Sequence, residues 1–293
     1  MKRFASLLLL AFASFAASAQ MQPNYEGLWW NSPAGSESGW GINITHQGDI
    51  LFATWFTYDA EGKGMWLVVP SAQLQPNMND GGGYGYSMGP PVYEYMGSIY
   101  RTTGPAFNAA TFDPHAVTVT AVGDADFQFT ASGQATFSYT VNGVSGTKSL
   151  TRQVFATPPT CDWDGTPANF QDLWWRAPAG SESGWGLNIA QQGAVMFATW
   201  FTYGADGKGT WFVASDVRES APGMWMGTLF STSGPAFSAP AWDSAKVKAT
   251  PVGTIMLMFD DMSKGTLTAT VNGATVEKAI TRQVFASPTT ACR

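Results

Sequence analysis

From about residue 27 onward the chain reads as short runs of alternating or doubly apolar positions. Gly, Asn, Asp and Pro interrupt them at intervals of roughly 8 to 12 residues. That rhythm predicts antiparallel strands joined by tight turns. In the first half, strands are expected over residues 27–31, 40–47, 51–58, 65–70, 93–102, 117–122 running on to 129, 134–141 and 148–155. The connections at 46–49, 59–62 and 141–143 are hairpin-like, and the last carries Asn142-Gly143, the pair that suits a type I′ turn. Short connections pair successive strands. A meander of about eight then closes into an up-and-down barrel without an open edge, with a two-sheet sandwich as the alternative.

The pattern occurs twice. Residues 28–30, 33–41, 47–48 and 52–58 recur 145 positions later, while 104–107, 141–143 and 151–156 recur 130 positions later. The difference marks a 15-residue insertion in the first copy, around residues 75–91, rich in Gly, Asn, Tyr and Pro and read as a loop. Each copy has the length of a small domain. The expected organisation is all-β: two tandem antiparallel barrels over residues 24–157 and 169–288, joined by a Pro/Thr-rich linker over 158–168.

In the run 51–58, alternation places Leu51, Ala53, Trp55 and Thr57 on one face and Phe52, Thr54, Phe56 and Tyr58 on the other. Both faces are apolar. One lines the barrel; the other needs a cover, either the partner domain or an outer aromatic patch. Duplication supplies an internal comparison, and polar or aromatic residues kept in both copies are the candidates for ligand binding. They are Glu37, Ser38, Trp40, Asn43, Trp55, Tyr58 and Trp66, with their counterparts Glu182, Ser183, Trp185, Asn188, Trp200, Tyr203 and Trp211. Core filling competes with ligand binding for every indole, because small barrels are mostly filled with side chains. The loop Ala34-Gly35-Ser36-Glu37-Ser38-Gly39-Trp40-Gly41, repeated intact, is the preferred site: either turn geometry or contact with a ligand at a barrel mouth holds it constant.

The first strand opens Gly27-Leu28-Trp29 and the last contains Arg152; the second copy keeps Trp174 and Arg282 but has Asp172 in place of Gly27. This resembles the calycins (lipocalins, fatty-acid-binding proteins, avidins), in which Gly-x-Trp near the start and a basic residue near the end pack together to close one barrel mouth. The resemblance implies a structural role for Trp29, Arg152, Trp174 and Arg282. The Ser-Gly-Trp-Gly and Phe-Ala-Thr-Trp-Phe-Thr-Tyr blocks also resemble a repeat of exported bacterial proteins, which brings no chemistry with it.

Composition narrows the function. Charged residues are 12% against 45% hydrophobic, and 13 Trp accompany 32 Gly, so the chain folds and suits strands and turns. Lys2 and Arg3, an apolar run over 7–15 and Ala17-Ser18-Ala19 read as a signal peptide cleaved after Ala19, which places the mature protein in the periplasm or outside the cell, with no transmembrane segment. Removing Lys2 and Arg3 leaves 13 of the 15 basic residues against 21 acidic ones, a net charge of −8 that disfavours nucleic acid as a partner. In an exported chain the two cysteines, Cys161 and Cys292, are expected to form one disulfide.

Catalysis finds little support. His46 and His115 correspond to Gln191 and Ala245, so no Ser/His/Asp arrangement is duplicated. Glu37 with Asp113, and Glu182 with Asp243, are acid pairs of the kind a glycosidase uses, although the aspartates also fit strand-start turns. No metal or cofactor is implied. The expected function is non-catalytic binding of a small apolar, aromatic or glycan ligand through Trp-lined barrel cavities. A carbohydrate-active enzyme or carbohydrate-binding module, and a protein–protein interaction module, are the alternatives.

Overall fold

The computed structural model describes residues 23–76, 92–130 and 133–293. The leader at 1–19 and nearly all of the insertion at 75–91 lie outside them. The chain forms two closed eight-stranded antiparallel barrels and one small ribbon. The first barrel comprises β1 (Gly27–Asn31), β2 (Gly41–Gln47), β3 (Ile50–Tyr58), β4 (Gly64–Leu74), β5 (Val92–Thr103), β6 (Thr118–Thr130), β7 (Gln134–Val141) and β8 (Val144–Arg152). After β9 (Cys161–Trp163), the second comprises β10 (Asp172–Arg176), β11 (Gly186–Gln192), β12 (Val195–Tyr203), β13 (Gly209–Ala221), β14 (Met224–Ser233), β15 (Lys248–Asp261), β16 (Lys264–Val271) and β17 (Ala274–Arg282). The chain ends in β18 (Thr290–Cys292), which pairs with β9. Each strand pairs with the next, and the first pairs with the eighth, so the barrel expectation holds and the sandwich does not.

Local chemistry explains the turns. Asn142 and Gly143 have φ of 48° and 80°, and Asn272 and Gly273 have 49° and 84°, the two positive values a type I′ turn requires. Trp29 and Arg152 sit opposite each other where β1 meets β8, with the guanidinium 4.8 Å from the indole centroid; Trp174 and Arg282 repeat this at 4.9 Å. Arg152 also donates to the carbonyls of Asn24 and Glu26. Where the second copy lacks the opening glycine, Asp172 accepts a bond from Arg282 at 2.8 Å.

Two glycines set the bend of the long strands. Gly123 on β6 and Gly253 on β15 have φ of +157° and +158°, beside register shifts in the preceding pairings. A Cβ on Gly123 would stand 1.6 Å from the Thr140 carbonyl oxygen, inside covalent range of the neighbouring backbone. Gly123→Ala is therefore expected to cost about 3 kcal/mol or more. Gly35→Ala, at φ +79° with open space around it, should cost only about 1 kcal/mol. Urea unfolding midpoints of the two variants measure the difference; equal midpoints would show that β6 can slide away from β7.

The inner faces carry the rings. In the first barrel Tyr25 stacks on Phe129 at 3.9 Å, Phe127 on Phe137 at 4.8 Å, and Trp55 lies 5.2 Å from Phe137. Leu51, Ala53 and Trp55 face this interior, while Phe56 and Tyr58 join the core of the second barrel. The cover needed by the outer face of β3 is thus the other repeat.

Candidate functional site

The two barrels interlock by reciprocal contacts. The Trp66 indole donates to the Thr202 carbonyl at 3.0 Å, and Trp211 donates to Thr57 at 3.1 Å. Gln47 donates to the Gln283 carbonyl and accepts from the Phe285 and Ala286 amides; Gln192 does the same with Gln153, Phe155 and Ala156. Each Gly-Pro-Ala-Phe loop reaches into the other barrel. Phe237 donates its amide to Tyr58 and packs its ring 5.6 Å from Trp55; Phe107 donates to Tyr203 and packs 5.5 Å from Trp200. Each of these bonds has its twin, so the repeats are related by an approximate two-fold axis.

This arrangement accounts for most of the residues singled out from the sequence. Glu37 accepts from the Trp40 indole at 3.1 Å and from Lys148 at 2.6 Å, and Glu182 accepts from Trp185 at 3.0 Å and from Lys278 at 2.7 Å. Each glutamate thereby ties the 33–41 type of loop to the last strand of its own barrel. Ser38 and Ser183 bond to the carbonyls of Gly35 and Gly180 within the loop. The Ser38 carbonyl also accepts from Trp242 of the other repeat, whose ring lies 6.3 Å from Trp40 and 6.0 Å from Tyr58. Tyr58 and Tyr203 donate to Gly39 and Gly184. Asn43 and Asn188 are buried, each with one amide atom lacking a partner. Trp55 and Trp200 lie inside the barrels, each beneath the phenyl ring from the other repeat. Asp113 and Asp243 accept from the amides of His115 and Ala245 and cap short 3-10 turns, the turn role considered for them.

His46 occupies a closed polar pocket. Its Nδ1 accepts from the Tyr25 amide at 3.1 Å, which leaves Nε2 carrying the proton toward the Tyr95 hydroxyl, also at 3.1 Å. Burial lowers its pKa to about 3, so it is neutral. In the second repeat Gln191 accepts from the equivalent Phe170 amide. Glutamine serves the same position, so His46 is a backbone anchor.

What the interlock leaves open is a cleft between the barrels of about 430 Å³. Phe52, Trp66, Val68 and Tyr100 wall it on the first barrel, and Trp175, Trp185 and Phe201 on the second. Its polar groups are few: Thr54, Thr102, Ser183 and the Gln283 side chain among them. Among the described residues, no charged side chain lines it. Trp66, Ser183 and Trp185 were among the residues expected to bind a ligand; their twins Trp211, Ser38 and Trp40 lie on the other side of the axis. Phe52, Tyr100, Trp175, Phe201 and Gln283 were not among the residues expected to bind a ligand, although Trp175, Phe201 and Gln283 are kept in both copies as Trp30, Phe56 and Gln153. Their signal was the second apolar face of β3, which announced a cover without showing that the cover is incomplete.

Among the described residues, no cluster of three or more His, Cys, Asp or Glu is placed to hold a metal ion, and no helix is long and apolar enough to cross a membrane. Cys161 and Cys292 form a disulfide. Comparison with protein-family models, curated proteins and solved structures finds no match.

Proposed function

We propose that this is an exported, non-catalytic binding protein that takes a small, neutral, apolar or aromatic ligand in the cleft between its barrels. The observation that carries this reading is a cleft walled by six aromatic rings and, among the described residues, free of charged side chains. Its volume of about 430 Å³ falls in the range typical of small-molecule sites, roughly 300 to 1,000 Å³. An ionic ligand would lose its hydration there without a counter-charge. Threonine, serine and glutamine supply the polar groups that would orient such a ligand. The barrel cavities suggested by the sequence are occupied by Phe237 and Phe107, which moves the reading from lumen to cleft. The disulfide is compatible with the periplasm or the cell exterior.

Titration with N-phenyl-1-naphthylamine, a neutral planar fluorophore, tests the site. The native chain should bind one equivalent saturably. Gly186→Leu should weaken binding at least tenfold: Gly186 lines the cleft, and the nearest atom to an added Cβ is Leu173 Cδ1 at 3.3 Å, so the side chain fills the space at little backbone cost. Undiminished binding by a folded Gly186→Leu chain, or none by the native chain, overturns the assignment.

A further inference from the structure

The two repeats share the strand Phe-Ala-Thr-Trp-Phe-Thr-Tyr but hold its second phenylalanine differently. Across the β11–β12 ladder Phe201 faces Gly186, and across the β2–β3 ladder Phe56 faces Gly41, so both rings have the same glycine opposite them. Phe201 leaves its glycine uncovered. The only atoms within 4 Å of a Cβ built on Gly186 are Leu173 Cδ1 and the Trp174 carbonyl oxygen, and the ring forms a wall of the open cleft. Phe56 lies over its glycine, with Cζ 2.5 Å from the corresponding point on Gly41. It also sits nearer its neighbouring indole, 5.0 Å from Trp211 against 5.8 Å between Phe201 and Trp66.

By repeat equivalence, the residues walling the cleft correspond to Phe197, Trp211, Val213 and Phe230 on one side of a second location and Trp30 and Trp40 on the other. These residues are as apolar and as free of charge as those of the first. We infer that Phe56 is a gate over a second binding cleft, which admits the same neutral, planar, apolar class of ligand when the ring swings to the position Phe201 already occupies. A ligand ring would replace the displaced phenyl against Trp211, so opening exchanges one apolar contact for another.

This inference rests on the reading of the first cleft as a ligand site, and stoichiometry separates the two. With N-phenyl-1-naphthylamine, the native chain should bind one equivalent, Phe56→Ala two, and Gly186→Leu combined with Phe56→Ala one. If Phe56→Ala stays at one equivalent and the combined variant binds none, the gate is overturned while the first cleft stands. If the native chain binds none, the first cleft fails instead. Phe56→Leu, which keeps an apolar side chain too short to cover Gly41, should give the same counts and serves should the alanine variant not fold, as judged by near-ultraviolet circular dichroism.

Discussion

Replacing Cys161 and Cys292 together by serine should lower the thermal midpoint by on the order of 10 °C, and adding a reductant should do the same to the native chain and nothing further to the variant. The disulfide closes a loop of 131 residues that contains the whole second barrel. Constraining the unfolded chain over that length contributes about 5 kcal/mol in the chain-entropy model, and each kcal/mol is worth roughly 2 to 4 °C in a chain of this size. Without the bond, the β9–β18 ribbon keeps three paired residues, the Arg293–Asp162 ion pair and the reciprocal bonds between Thr160 and Arg293. That ion pair is largely exposed and adds little. The ribbon matters to the first barrel because Trp163 packs 4.7 Å from His46 and Thr290 bonds to the His46 carbonyl. Its release should therefore also change tryptophan fluorescence before the barrels melt. An unchanged midpoint in the double serine variant would mean that docking alone holds the ribbon and the loop constraint contributes nothing.

The ribbon also marks what the sequence concealed. Residues 158–168 read as a linker because three-residue strands have no periodicity, and β9 finds its partner 131 positions away. The barrel strands were legible for the opposite reason: each pairs with its neighbour across a turn whose residues carry their own conformational signature, as Asn142-Gly143 does. The second apolar face of β3 correctly predicted a cover. That the cover would be the outer wall of a twin barrel required knowing which way the two repeats turn toward each other, information held in contacts such as Trp66 to Thr202. The Gly-Pro-Ala-Phe motif was visible as a repeat, yet its phenylalanine packs in the other barrel, and no local pattern carries that exchange. Glu37 was visible as an invariant of both copies; its partner Lys148 lies 111 residues away on β8. The cleft is the least legible feature. It depends on a small mismatch between two nearly identical surfaces.

His46→Gln should remove most of the acid sensitivity of the first barrel. A buried neutral histidine with a folded pKa of about 3 and an unfolded value near 6.5 contributes fully above pH 6.5 and loses about 1.4 kcal/mol for each unit as the pH falls toward 3. Protonation would also place an N–H at Nδ1 against the Tyr25 amide, donor facing donor. Gln191 shows that an amide oxygen accepts the same backbone bond without titrating. At pH 7.5 the variant should be less stable by about 1 kcal/mol, from the lost ring contacts with Tyr25 and Trp163. Near pH 4.5 it should be the more stable, so the two stability curves cross. Glu26 works in the other direction. Burial and the nearby Asp172 carboxylate hold its pKa well above the ordinary carboxylate value, against the opposing pull of the His46 amide bond and the Arg152 and Arg282 guanidinium groups. The stability it contributes is present at low pH and is lost as the pH rises past about 4.5. Its counterpart in the second repeat is the neutral Gln171. Glu26→Gln should therefore raise stability at pH 7.5 with no gain near pH 4, and combined with His46→Gln should give a profile flatter between pH 4 and 8 than that of the native chain. Urea midpoints across that range decide it: a His46→Gln chain that destabilises in acid as steeply as the native one would mean that His46 is protonated in the folded state.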